Sequence, residues 1–129
     1  MRMVDSIMSQ SIIPDEVVMT CSHQIPYFHE IERRIKAKTK LTFLLNSSTS
    51  APENLNLAIN ASSSSLVKIL FQDDFLIGAN HLELLIRALT DSRSHWGVSY
   101  GSYFYEEIYI LRYRMLQRLR RVESILRLP

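Results

Sequence analysis

The sequence is poor in the residues that build several common kinds of functional site. Cys21 is its single cysteine, so the chain holds neither an intramolecular disulfide nor a multi-cysteine metal centre. Its three glycines lack the short, fixed spacing of a nucleotide-binding loop. No run of about 18 consecutive apolar residues predicts a membrane-spanning helix, and the N-terminus lacks the apolar stretch of a signal peptide. We therefore expect an intracellular protein, cytoplasmic or nuclear, with no membrane partner.

The polar residues do not form a recognisable catalytic or metal-binding motif. His29 begins a sequence like the zinc-binding helix of metalloproteases, but Arg33 stands where the second histidine ligand is required. Cys21, His23 and His29 lack an evident fourth metal ligand, and nothing in the spacing pairs Cys21 with a histidine base. We predict that the protein is not an enzyme and has no catalytic, cofactor-binding or metal-binding residues.

Length and composition indicate one domain. A chain of 129 residues that is 47% hydrophobic can bury a single core. Residues 1–13 mix isolated apolar residues with polar ones and are predicted to be a flexible N-terminal segment, followed by a single helical domain over 14–129. The predicted fold class is all-α, a compact bundle of five or six helices, which suits the low glycine content.

Helix-start signals and apolar spacing support this fold class in the first third of the chain. Pro14, followed by two acidic residues, predicts a helix to about Gln24. A second helix is predicted from Pro26 toward Leu45. Apolar residues also alternate near the end of that range, so a strand over 39–46 is the alternative.

Three further helices are predicted in the middle of the chain. Each begins at a residue type that caps helices, and they extend from Ser50 to Ile59, from the serine run 62–65 through Leu70 toward Phe75, and from Asn80 to about Asp91. Two glycines and the loss of helical spacing predict a loop over 92–101, with a small hairpin as the alternative.

The strongest helical pattern lies near the C-terminal end. Seven apolar residues recur every three or four positions and fall within about 80° of a helical wheel, namely Phe104, Ile108, Leu111, Met115, Leu119, Val122 and Leu126. They predict an amphipathic helix from about Ser102 to Arg127, about 38 Å long. A helix of that length would be the spine of the fold.

Tyrosine and arginine side chains lie beside this apolar stripe. Both residue types are enriched at binding hot spots, and the predicted partner-binding residues are Tyr105, Tyr109, Arg112, Tyr113 and Arg120. Packing of another helix of the same domain on this flank is the alternative. We therefore predict a non-enzymatic helical protein–protein interaction module, a subunit or adaptor of an intracellular complex. Its partner would be another protein, in a hetero-complex or a homo-oligomer.

The same helix carries a resemblance to a known family. The run from Met115 to Val122, MLQRLRRV, resembles a core helix of the GINS replication-complex subunits, small all-α assembly partners of the replicative helicase. The resemblance covers one helix of about a dozen residues and transfers no functional residue. It implies an alternative function, a nucleic-acid-associated assembly subunit that uses the basic segments 33–40 and 112–121. Arginines on two flanks of the helix, instead of one, make nucleic acid the second choice of partner.

Overall fold

The computed structural model describes residues 2–97, and this part of the chain combines helices with a small parallel sheet. Its elements are α1 (Arg2–Met8), β1 (Glu16–Cys21), α2 (Phe28–Lys36), β2 (Lys40–Leu45), α3 (Ala51–Ala61) and α4 (His81–Ser92). Only 41% of this part is helical. The predicted all-α bundle of five or six helices is therefore wrong, and the described part is mixed α and β.

β1 lies where a helix was predicted to follow Pro14. The proline and the two acidic residues after it match a helix start, but the next residues include Val17, Val18 and Thr20. Their β-branched side chains lose rotamer freedom in a helix and fit the pleated surface of a sheet. Pairing of all six residues of β1 with β2 decides the outcome.

The second predicted helix was expected to continue toward Leu45, and this is wrong, because β2 occupies the end of that range. α2 ends at Lys36, and the strand alternative for 39–46 is confirmed. The strands are parallel, with Glu16 opposite Lys40 at one end of the register. Parallel neighbours need a crossover connection, and α2 provides it.

Helices cover both faces of the sheet. On one face, Val17, Met19 and Leu41 pack against the core formed with α1 and α2. On the other face, the Thr20 hydroxyl donates to the carbonyl oxygen of Asn54 in α3, at 3.1 Å. Successive side chains of a strand point to opposite faces, so the sheet is the middle of three layers.

The buried core lies on the α1 and α2 side of the sheet. Its buried apolar residues come from α1, α2 and the segment before α4, namely Val4, Ile7, Met8, Ile35 and Leu76. Residues 1–13, predicted to be flexible, thus contain a helix that contributes to the core. The predicted single domain over 14–129 extends beyond the described residues.

A buried glutamine joins α1 to the turn before α4. The Gln10 side-chain nitrogen donates to the carbonyl oxygens of Ser6, at 2.9 Å, and Gly78, at 2.8 Å. Its side-chain oxygen accepts from the backbone N–H of Leu82, at 3.1 Å. Gly78 has a φ of 79°, a conformation that favours glycine. One side chain therefore sets how α4 starts relative to α1.

Two of the predicted middle helices form and one does not. α3 and α4 lie close to their predicted bounds, and Ser50 and Asn80 occupy the N-cap positions. Neither side chain makes a capping hydrogen bond, so the mechanism expected for these starts is wrong. The helix predicted from the serine run is also wrong, because residues 62–78 contain no helix.

The C-terminal helix predicted from Ser102 to Arg127 lies outside the described residues. No helix within residues 2–97 has the length and apolar character needed to cross a membrane.

Ile35→Ala is expected to destabilise the protein by about 3 kcal/mol, because the side chain is central to the core and would leave a cavity. Ile35 is 1% exposed, whereas Ile59 in α3 is 40% exposed. The matched variant Ile59→Ala should change the free energy of unfolding by about 0.5 kcal/mol or less. Urea unfolding of both variants, followed by circular dichroism, measures the difference. Equal losses of stability in the two variants would mean that Ile35 is not central to the core.

Candidate functional site

The residues predicted to bind a partner lie outside the described part of the chain. They are Tyr105, Tyr109, Arg112, Tyr113 and Arg120. The basic segment 112–121 and the helix that resembles the GINS subunits also lie there. These predictions therefore stay predictions, and the candidate surfaces below belong to residues 2–97.

The basic segment 33–40 is described, and each of its cations has a partner within the same chain. The pairs are Arg33 and Arg34 with Glu30, Lys36 with Glu32, Lys38 with the Met8 carbonyl oxygen, and Lys40 with Glu16. Arg34 also contacts Asp5 of α1. Hydrogen bonds from Arg34, then Arg33, lower the pKa of Glu30. A nucleic-acid phosphate would have to compete with these internal contacts.

Cys21 does not have the surroundings of an activated nucleophile. It lies at the end of β1, where burial raises the pKa of its thiol. Reactive cysteines have a lowered pKa instead. The neighbouring histidine, His23, contacts Ser22 through Nδ1 at 3.0 Å. Within residues 2–97, no three His, Cys, Asp or Glu side chains come together in a metal-binding group.

The loop between β1 and α2 forms an open pocket of about 390 Å³. Its lining is the continuous run Gln24, Ile25, Pro26, Tyr27, Phe28 and His29. Tyr27 occupies the N-cap of α2 with a φ of 61° and is 83% exposed. The pocket has no charged carboxylate, lysine or arginine in its lining, so it offers little to fix a polar ligand.

The most highly connected polar site is a carboxylate held by consecutive serines, which we call the serine clamp: Glu16, Ser62, Ser63 and Ser64. Glu16 Oε1 accepts the backbone N–H of Ser63 at 2.6 Å and that of Ser64 at 2.9 Å. The hydroxyls of the three serines donate to the same oxygen, each at 3.0 Å. The clamp links the first residue of β1 to the chain that leaves α3.

The charge of Glu16 is well stabilised although the side chain is 6% exposed. The backbone N–H of Ser63, against the opposing effect of burial and with help from the serine hydroxyls, lowers the pKa of Glu16 from 4.5 to about 2. Its second oxygen, Oε2, is buried without a hydrogen-bond partner and lies 3.7 Å from Lys40 Nζ. Glu16 is therefore an ionised, nearly buried group at neutral pH.

The clamp was not predicted from the sequence. Glu16 was assigned to a helix start, and the serine run to a helix cap, because both residue types favour those positions. The two segments are 46 residues apart in the chain between Glu16 and Ser62. A serine run signals backbone hydrogen bonding, but it does not identify a distant carboxylate as the acceptor.

Residues 65–80, which we call the strap, connect the clamp to α4. At its far end the Leu76 N–H donates to the Ser6 hydroxyl, and the Gln10 side-chain nitrogen donates to the carbonyl oxygen of Gly78. Leu70 and Leu76 pack in or against the core. Between these contacts, four large apolar residues are exposed, namely Leu66, Val67, Ile69 and Phe71. The strap is thus anchored at both ends, and its exposed surface mixes these apolar residues with charged ones, Lys68, Asp73 and Asp74.

In the described part of the chain, the sheet has an unpaired edge on each strand. Within residues 2–97, β1 and β2 pair only with each other, so each strand has one side without a neighbouring strand. α3 lies over β1 more than over β2. At the two ends of β2, the Lys40 side chain and Leu45 are each 63% exposed. β2 is therefore the more open strand.

Glu16→Gln is expected to reduce the acid sensitivity of the fold. Glu16 has a pKa of about 2 in the folded protein and an ordinary value of 4.5, so the folded state binds fewer protons between these values. Its stabilising effect is complete above about pH 4.5 and is lost as the pH falls toward 2. Urea unfolding at pH 7, 4 and 2.5 should show a smaller loss of stability in the variant than in wild type.

The control for this experiment is Glu53→Gln, which removes an exposed carboxylate of α3. That variant should keep the pH dependence of the wild-type protein. Identical slopes in wild type and Glu16→Gln would mean that the clamp does not hold the carboxylate in solution.

Compared with known proteins, the chain matches no protein-family model, no curated protein and no solved structure. Its function is therefore inferred from its own residues and their geometry.

Proposed function

We propose that the protein is a non-enzymatic interaction module, a subunit or adaptor of an intracellular complex, that binds an extended segment of another protein along β2. The observation that carries the proposal is the two-stranded sheet, whose strands pair only with each other within residues 2–97. An unpaired strand edge offers a row of backbone donors and acceptors to an incoming chain.

The size of the sheet supports this proposal. Two-stranded sheets are marginal in water without further strands or packing helices. Here helices cover both faces, yet every residue of β1 and the central residues of β2 stay only partly buried. A third strand would bury the same side chains further, because neighbours on a sheet shield each other on both faces. The sheet is therefore well suited to accept one.

After Lys40, at its first position, the sequence of β2 lacks the features that protect natural edges. Proline, bulges and charges within an edge strand prevent unwanted pairing. Residues 41–45, LTFLL, contain neither proline nor charge, and all six residues of β2 follow a continuous register with β1. Lys40 is the one charged residue of β2, and the uncharged stretch that follows it is typical of a strand that has a partner.

The chemistry of β2 indicates what kind of segment would bind. Leu41 and Phe43 face the α1 and α2 layer, where Phe43 lies 4.3 Å from the Phe28 ring centre. The intervening residues face the α3 layer, and Leu45 at the strand end is exposed. A partner strand with apolar side chains on both faces fits these surroundings. The tyrosine and arginine flank predicted over 105–120 would add a second contact surface.

Nucleic-acid binding has less support. The cations of 33–40 already contact carboxylates or a backbone carbonyl of the same chain. Such exposed pairs are weak, so phosphates would be able to displace them, but no cluster of unpaired cations favours that outcome in the described part.

Leu45→Lys is expected to weaken partner binding about tenfold or more, because it places a charge at the end of the pairing edge. The partner is first isolated with the protein from its native cells. Hydrogen exchange of the purified complex should show slowed exchange of β2 amides. The matched variant Leu84→Lys, at a leucine of α4 that is 56% exposed, should bind like wild type.

Two outcomes would contradict this proposal. One is an unchanged exchange rate along β2 in the complex. The other is a complex that contains only copies of this chain, which would make the occupant of the edge a second copy instead of another protein.

A further inference from the structure

We propose that Ser63 is a phosphorylation site, and that a phosphoryl group on its hydroxyl releases the serine clamp and frees the adjoining end of the strap. The proposal is independent of the partner proposed for β2. It rests on the position of Ser63 beside the carboxylate of Glu16 and on its exposure.

Ser63 is accessible to a modifying enzyme. Protein kinases act on exposed segments that can adopt an extended form, and residues 62–64 follow the end of α3 without helix or strand structure. Ser63 is exposed, whereas its neighbours Ser62 and Ser64 are partly buried. The middle hydroxyl of the clamp is therefore the one that an enzyme reaches first.

The modification replaces a hydroxyl donor of the clamp with an anion. Transfer of the γ-phosphoryl group from a nucleoside triphosphate forms an oxygen–phosphorus bond at Ser63, and releases the nucleoside diphosphate and the hydroxyl proton. The product carries a charge of about −1.5 to −2 and no longer has a hydroxyl proton to donate.

Because of Glu16, a phosphoryl group on Ser63 is unfavourable while the hydrogen bonds of the clamp are intact. The Ser63 hydroxyl lies 3.0 Å from Glu16 Oε1, and its backbone N–H lies 2.6 Å from the same atom. The Glu16 side chain is 6% exposed, and its other oxygen is buried without a hydrogen-bond partner. A phosphoryl group next to this carboxylate is repelled by its like charge. Lys40, whose side chain is 63% exposed, lies beside the other oxygen of Glu16.

Release of the clamp would affect only one end of the strap. The far end is held independently by hydrogen bonds from Leu76 to Ser6 and from Gln10 to Gly78. Leu76 also remains in the core. Leu70 also packs against the core. Phosphorylation would therefore free the residues between the clamp and Leu70, which include the exposed Leu66, Val67 and Ile69, while α1, α2 and the start of α4 stay in place.

The test uses the full chain with phosphoserine incorporated at position 63 during translation. Hydrogen exchange, measured by mass spectrometry and NMR, should accelerate about tenfold or more at the amides of Ser63 and Ser64, which lose a charge-assisted acceptor. Amides of α1 and α2 should exchange as in the unmodified protein. Phosphoserine at position 65 is the matched control, since Ser65 is exposed and lies next to the three serines that donate to Glu16.

A second comparison ties the effect to Glu16. In a Glu16→Gln background, phosphoserine at position 63 should add little further exchange, because the repelling carboxylate is gone. The proposal is overturned if phosphoserine at 63 leaves these amides protected, as a new pair with Lys40 would do, or if position 65 has the same effect.

The modification itself is tested on protein isolated from its native cells with phosphatase inhibitors present. Mass spectrometry should find the phosphoryl group on the peptide that contains residues 62–65, and fragmentation should assign it to Ser63. Its absence under all growth conditions sampled would overturn the assignment.

Discussion

The parallel pairing of β1 with β2 constrains where the other elements of residues 2–97 can lie. Two parallel strands cannot be joined by a tight turn, so the chain must return along one face of the sheet, and α2 does so. α3 then covers the other face along β1, bonded through Thr20. α1 packs on the α2 side and completes the core around Ile35. The same pairing leaves one edge of each strand without a neighbour in this part of the chain.

Glu16 shows how a nearly buried charge is retained in this arrangement. Burial alone disfavours the ionised form of a carboxyl group, and two backbone N–H groups and three hydroxyls reverse that effect. Because all five donors come from consecutive residues after α3, the carboxylate also determines where the strap begins. The hydrogen bonds that stabilise the charge of Glu16 thus also connect β1 with the segment that follows α3.

Local sequence signals were sufficient for α3 and α4. A capping signature predicted α3, and a capping pattern with apolar spacing predicted α4, both close to their observed bounds. Such signals failed at β1 and β2 because both segments carry competing signals. A proline with acidic residues suggested a helix before Val17, and alternating apolar residues suggested either structure before Leu45. Pairing between the two strands decides that both segments are strands, and a single sequence does not show which segments pair. The clamp was not predicted for a similar reason, because its donors and Glu16 are distant in sequence and a single sequence does not show that they meet.

Gln10 has a consequence for how this chain can vary in length. Its amide contacts Ser6 on one side and both Gly78 and Leu82 on the other, so the spacing between residues 78 and 82 is fixed by one rigid planar group. An insertion there would separate two contacts that must reach the same amide. Residues 65–69 lie between two contacts that are not made to the same side chain, the clamp and the packing of Leu70 against the core. Among descendants of this sequence, gains and losses of residues should therefore accumulate within residues 65–69 and leave the turn before α4 at constant length.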